Sequence, residues 1–422
     1  MHLIDRLSDL IWGNGLVLLL LLTGLMFTVK LKVMQLRLPF FLLRKSKCRN
    51  NGIPQLRTVC MSLGAAMGTG NITGVAAALT VGGAGAVFWM WVSAFLGMAL
   101  VYAENFLSVK YSRDTLRGPM AYLEIGLGCR RLACFFAVMC VLSAFGMGGM
   151  VQVSSFAESL DHCADIPSSV IAVMTCAVIL IIIRGGAERI GKVSQFLLPS
   201  VSVLYALMCG AVLIKYHDGI YNSFSCIFKE AFGIKQAAGG ITGYTLSKAV
   251  TTGVKRGIFS NEAGLGSSPI LHSSAESDSP HTQGMWSMFE VFFDTMICCT
   301  LTAVTLLACG EKTVQGAFSN VFGNCSSFLT AAEMAVFAFC TLIGWYYCGE
   351  SAFIYITDGK WKKEFSYAFA VTASLGAIIS IRAVWTLSDI FNGLMAFPNI
   401  IAVILLRNKV RINTDITDID NN

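Results

Sequence analysis

Charge is scarce in this chain: Asp, Glu, Lys and Arg make up 13% of its 422 residues. Soluble domains carry about a quarter charged residues, so a surface wetted on all sides is excluded. Proline is rare, with eight residues against 40 glycines, a balance that suits closely packed membrane helices. The five histidines (His2, His162, His217, His272, His281) fall in loops or at segment ends, and neither HExxH nor GxSxG occurs. Metallohydrolase and serine-hydrolase chemistry therefore lack their residues, and the chain is not expected to be an enzyme. No Walker A loop is present, which argues against an ATP-driven pump. None of the 15 cysteines shows CxxC spacing, and most lie inside apolar segments as small structural residues. The net charge of +6 sits between apolar segments and forms no basic face, so nucleic acid is not a partner.

Apolar sequence is abundant, at 55% hydrophobic residues with a mean hydropathy of +0.66. Windows of about 20 apolar residues, enough to cross a bilayer, recur along the chain. They lie at residues 10–33, 59–80, 86–109, 132–160, 168–183, 193–216, 237–268, 283–309, 328–349, 365–381 and 388–406. The first has no small-residue cleavage site and reads as a retained helix. The pattern predicts an all-α polytopic membrane protein of eleven transmembrane helices. A single transmembrane domain is expected over 1–411, with a polar cytoplasmic tail over 412–422. Loop charge checks the count: with alternate loops assigned to the cytoplasm, that side holds 22 of the 31 Lys and Arg. The opposite side holds 6, and 3 lie inside the seventh window. The asymmetry puts the chain in the cell (inner) membrane with its N-terminus outside and C-terminus inside.

Two of these windows are interrupted. Gly64-Ala65-Ala66-Met67-Gly68-Thr69-Gly70-Asn71 places three glycines within seven positions of an apolar run. Each glycine costs about 1 kcal/mol of helix stability relative to alanine. The seventh window carries Gly253, Lys255, Arg256, Gly257, Asn261, Glu262, Gly264 and Gly266. With the first helix (10–33) set aside, the breaks occupy helices 1 and 6 of a ten-helix core and run in opposite directions. Broken helices at corresponding places in two halves (59–216 and 237–406) indicate an inverted-repeat transporter with its site at the midplane. Half-helix N-termini there offer N–H groups to an anion, and freed carbonyls can coordinate a cation.

Several long motifs also resemble the alanine or glycine:cation symporter family. They are Asn71 with its glycines, Gly82-Gly83-Ala84-Gly85-Ala86-Val87-Phe88-Trp89-Met90-Trp91, Arg117-Gly118-Pro119-Met120, residues 259–267 and residues 385–393. The resemblance implies a LeuT-type fold, one helix followed by a five-plus-five inverted repeat. It implies symport of a small neutral amino acid with sodium or protons, by alternating access, with no cofactor beyond the coupling ion; a channel is the remaining alternative. It further implies that Gly68, Thr69 and Gly70 present N–H groups to the substrate carboxylate. Sodium would be held by Gly64, Ala66, Met67, Asn71 and Thr341, whose oxygens suit a hard cation. Thr341 and Trp345, at i and i+4 on one helix face, would line the substrate pocket. Phe259 would wall it, with Ser260 and Asn261 as hydrogen-bonding groups.

Other side chains are read from burial. Gln152, deep in its span, needs a partner near the pocket or on another helix. Gly149 stands where many relatives have asparagine, which predicts a roomier pocket and a substrate larger than alanine or glycine, with glutamine the first candidate. Lys255, Arg256 and Glu262 read either as a cytoplasmic gate of paired charges or as a solvated helix end. Asp294 is a proton or cation site or the partner of a basic neighbour. Glu104 and Lys110 read as snorkelling charges near a span end.

Overall fold

Where apolar sequence runs unbroken, the chain forms long helices; where glycine or a buried polar residue interrupts it, the helix widens or stops. The structure is a computed structural model that describes residues 6, 8, 10–43, 54–113, 115–161, 163, 166–232, 242–275, 279–379 and 381–412. The tail 413–422, the start of the seventh window (237–241) and the basic loop around Lys45 lie outside the described residues. The described residues are helical or in short connections, with one isolated bridge between Arg113 and Leu116.

In chain order the helices are α1 (Asn14–Lys30), α2 (Leu38–Leu43), α3 (Gln55–Ala66), α4 (Thr73–Gly82), α5 (Gly85–Tyr111), α6 (Gly118–Ala121), α7 (Arg130–Ser143), α8 (Gln152–Asp161), α9 (Ser168–Ile183) and α10 (Gly186–Lys215). There follow α11 (His217–Ala231), α12 (Thr242–Asn261), α13 (Ser268–His272), α14 (Pro280–Val291), α15 (Thr300–Cys309), α16 (Val314–Phe322), α17 (Cys325–Thr357), α18 (Lys362–Leu375) and α19 (Ile381–Leu405). Wide π-helical turns join α7 to α8 (Ala144–Val151) and α14 to α15 (Phe292–Cys299).

Among the described residues, six helices are long and apolar enough to cross a membrane, or seven if the bent pair Gly15–Lys30 and Met34–Leu43 is one span. The difference from the eleven apolar windows has a physical source. Two windows are split into half-helices, α3/α4 and α12/α13, while α9 and α18 have only 16 and 14 residues. Each falls short as one continuous rod.

α5 lies at the centre, packed on α12, α14 and α1. Close approach there depends on small residues: a Cβ on Gly253 of α12 would lie 2.3 Å from the Ala86 carbonyl oxygen of α5. On the second half of the bundle, a Cβ on Gly344 of α17 would meet the Ala65 methyl of α3 at 2.7 Å. Gly210 has open space beside it. Gly253→Leu should therefore force α5 and α12 apart and cost about 1–3 kcal/mol, the usual penalty of overpacking. Gly210→Ala should leave stability unchanged or raise it by up to about 1 kcal/mol. Thermal unfolding of the detergent-solubilised variants, followed by size-exclusion chromatography, measures both.

Candidate functional site

The first break opens because Met67 and Gly68 leave helical geometry after α3, and one 3-10 turn (Thr69–Asn71) leads into α4. A Cβ on Gly68 would lie 2.6 Å from Thr341 Oγ1 and 2.9 Å from Gln152 Oε1, so glycine lets both side chains close on the backbone. Gln152 Oε1 accepts from Thr69 N at 3.3 Å and from Thr69 Oγ1 at 3.2 Å. Thr341 Oγ1 donates to the Gly64 carbonyl at 2.9 Å, and Gly68 N donates to the Ala66 carbonyl at 2.9 Å. Gly70 faces the Phe259 ring, 3.8 Å from where a Cβ would stand. The N–H and hydroxyl of Thr69, in the turn before α4, thus meet an amide oxygen from α8, and a carbonyl of α3 meets a hydroxyl of α17.

The second break follows α12. Glu262, Gly264 and Gly266 all have positive φ (55°, 89° and 87°), a conformation glycine tolerates and a longer side chain adopts only when held. Both oxygens of Glu262 are held: Oε1 accepts from Trp345 Nε1 at 2.8 Å, and Oε2 accepts from the Ser267 hydroxyl. The freed backbone at Gly264 is satisfied by side chains: its N–H donates to Glu104 Oε2 at 3.2 Å, and its carbonyl accepts from Asn399 Nδ2 at 2.8 Å. Asn399 also donates to Glu104, and Tyr122 donates to Asn399.

Between the two breaks stands Asp294, carried on the wide turn before α15 and fully buried. Its Oδ1 accepts from Asn71 Nδ2 at 2.7 Å; its Oδ2 accepts from Ser260 Oγ and from Thr295 Oγ1, both at 2.8 Å. Ser260 Oγ also lies 3.4 Å from Asn71 Oδ1, Asn261 Nδ2 donates to Thr295 Oγ1 at 3.1 Å, and Thr302 Oγ1 donates to the Asn71 carbonyl at 2.9 Å. A carboxylate, an amide oxygen and hydroxyls gathered at one point form a hard-oxygen donor set, the chemistry a small monovalent cation requires. π-Turns often serve functional sites by re-aiming side chains, and the one before α8 likewise precedes Gln152.

Several expectations need correction. Gly149 does not open onto the broken segment: a Cβ there would meet Ala373 of α18 at 3.0 Å, so Gly149 is a helix-packing residue. Gly148 faces Trp345 instead, and the argument from Gly149 for a larger substrate falls. Trp345 is buried and tied to Glu262, with its ring packed on Gly148. Lys255, Arg256 and Glu262 form no joint gate. Lys255 pairs with Asp389 at 3.2 Å, Arg256 lies over the Trp385 ring, and Glu262 turns inward. The Lys255–Asp389 pair joins α12 to α19 beside Trp12, which donates to the Asp389 carbonyl at 2.6 Å. Glu104 is fully buried on backbone groups of the second break and does not snorkel. Asp294 has no basic partner among the described residues. Asn399 and Thr302 escaped sequence reasoning because an isolated Asn or Thr in an apolar run carries no local signal.

Two broken helices crossing at a buried polar centre, within a helical membrane bundle, define the class of LeuT-fold transporters. The solved structure of MhsT with L-phenylalanine superposes with a TM-score of 0.63 at 13% identity, covering 85% of this chain and 90% of that one. A manganese transporter of Eremococcus coleocola gives 0.51 at 14% identity, over 83% and 75% of the two chains. The chain belongs to the sodium:alanine symporter family, whose pattern matches residues 1–417. It is 37% identical to the sodium/alanine symporter AgcS of Methanococcus maripaludis, over 97% of this chain and 95% of that protein. It is 34% identical to a probable sodium/glutamine symporter, GlnT, of Bacillus subtilis, over 97% and 89%. An uncharacterized transporter of Haemophilus influenzae is 38% identical over 97% and 94%. The protein is thus a multi-pass membrane transporter and not an enzyme.

Asn399→Leu should leave the Gly264 carbonyl and one oxygen of Glu104 without donors in a dry interior. The expected loss is at least about 1–3 kcal/mol, measured as a lowered thermal unfolding midpoint in detergent.

Proposed function

We propose that the chain is a secondary active symporter that imports a small neutral amino acid (alanine, glycine or glutamine) with sodium by alternating access. The observation that carries this reading is the convergence of Asn71, Ser260 and Asp294 from two broken helices and the wide turn between α14 and α15. In this reading eleven spans cross the inner membrane, α1 preceding two inverted repeats (59–216 and 237–406), with the N-terminus outside and the tail in the cytoplasm. The loop-charge asymmetry supports that orientation. The short and broken helices fill the windows that do not qualify as single rods.

The N–H groups of Gly68, Thr69 and Gly70 bind the amino-acid carboxylate, where Gln152 Oε1 already accepts from Thr69. Gln152, Phe259, Asn261, Thr341 and Trp345 shape the surroundings. One sodium is held at Asn71, the Ala66 carbonyl, Ser260 and Asp294; a second lies at the carbonyls of Gly64 and Met67 with Thr341. The contact between Thr341 Oγ1 and the Gly64 carbonyl supports the second set. Cation binding orders the broken segment, which lowers the cost of docking the amino acid, so the two ligands strengthen each other reciprocally. Rocking of one helix group against the rest then exposes the site to each side in turn. The Lys255–Asp389 pair, stacked beside Trp12 and the Phe259–Trp385 ring pair, acts as the outer closure.

Uptake of a labelled amino-acid panel into proteoliposomes, under imposed sodium or proton gradients, tests the proposal. Saturable, sodium-dependent accumulation of at least one of the three amino acids is expected; uptake indifferent to the sodium gradient would refute sodium coupling. Asp294→Asn should weaken sodium dependence at least tenfold, about 1.4 kcal/mol, as should Asn71→Ala. Thr341→Val should raise the sodium concentration for half-maximal uptake with a smaller effect on the amino acid.

A further inference from the structure

Below the proposed cation site, on the side where α3, α13 and α14 meet, lies a second buried polar group that the transport reading does not use. His272 ends α13 and is completely buried. Its Nδ1 lies 2.8 Å from Gln283 Oε1, and its Nε2 lies 2.9 Å from Glu290 Oε1. The amide of Gln283 is oriented by a reciprocal pair with Gln55: Gln283 Nε2 donates to Gln55 Oε1 at 2.7 Å, and Gln55 Nε2 donates to Gln283 Oε1 at 3.2 Å. Both ring nitrogens of His272 therefore face oxygen acceptors. A neutral imidazole has one N–H, so it can satisfy only one of the two, and the other contact needs a further proton.

That proton sits on the His272 ring, facing the Glu290 carboxylate through Nε2. Glu290 Oε2 accepts from Ser62 Oγ at 2.6 Å, and Ser62 Oγ lies 3.3 Å from Ser268 Oγ. A cavity of about 10 Å³, the room of one water molecule, adjoins Glu290. Its walls include Glu290, Ser62, Ser268 and Ser287 and, on the side of the cation site, Ala66 and Asn261. No Lys or Arg lies within ion-pair distance of either group among the described residues. The titratable groups around them are Glu262 beyond the cavity, Cys60 on α3, Tyr102 on α5, whose hydroxyl is bound to His281, and Asp294 one turn along from Glu290.

We infer that His272 and Glu290 form a proton-binding site that latches the half-helix α3 to α13 and α14, independent of the cation site. With the proton bound, His272 and Glu290 attract, and α3 is tied down through Ser62 and Gln55. Loss of the proton to water leaves the lone pair of one ring nitrogen against an oxygen acceptor, and α3 loosens. Since α3 is half of the first broken helix, its release opens the core toward the end of the bundle where α3 begins. That opening is the cytoplasmic step of the symport cycle proposed above, on which this inference rests. Acid conditions should hold the latch shut and alkaline conditions free it.

The test uses the full chain in proteoliposomes, with exchange of whichever amino acid the panel identifies, measured from about pH 5.5 to 8.5, the range histidine spans. Wild-type exchange should rise with pH, by up to about tenfold per unit for a one-proton step. His272→Gln and Glu290→Gln should each flatten the profile to within about twofold. A flat wild-type profile, or a variant that keeps the wild-type slope, overturns the latch. Thermal unfolding of the purified protein needs no substrate: the wild type should gain stability over His272→Gln as pH falls. If the panel shows no transport, the symport reading fails while this unfolding comparison still decides whether the pair binds a proton; equal pH dependence in both proteins rejects it.

Discussion

Backbone that leaves helical geometry inside hydrocarbon must find its hydrogen-bond partners within the protein, because lipid supplies none. This constraint governs the structure. Two helices are broken, and the groups they free are met by side chains from distant helices: Gln152 at Thr69, Thr341 at Gly64, Glu104 and Asn399 at Gly264. The long helices hold these partners in place, and the tight glycine contacts among them set how closely they approach.

The same constraint explains where four of the buried carboxylates lie. Glu104, Glu262, Glu290 and Asp294 are all buried, and each is surrounded by donors. Unpaired, each would cost several kcal/mol to bury. Glu104 braces the second break, Glu262 holds its own strained backbone and Trp345, and Asp294 joins the two breaks. Glu290 ties three helices together on the far side of the cavity. They differ in what meets them: fixed N–H groups and hydroxyls at Glu104, Glu262 and Asp294, a titratable imidazole at Glu290.

Much of this was legible in the chain itself. Apolar windows locate the helices, because burial in lipid is a local property of about 20 residues. Glycines among polar residues at Gly64–Asn71 and after Phe259 mark the breaks for the same reason. Gly149 and the Lys255, Arg256, Glu262 triplet misled because their meaning depends on which way each side chain turns. Gly149 and Gly148 are neighbours in sequence, yet one faces Ala373 and the other Trp345. The long wide turn before Gln152 shifts that register, and sequence periodicity does not announce it.

By itself, then, the sequence determined a helical membrane transporter with two interrupted helices, since hydropathy and helix-breaking residues act over a few turns. Only the tertiary structure decided who meets whom. Asn71 and Asp294 are 223 positions apart, and Glu104 and Asn399 are 295 apart. Such pairs form because the packed bundle leaves each polar group one place to be satisfied. That choice is made by the whole fold, and no local stretch of chain encodes it.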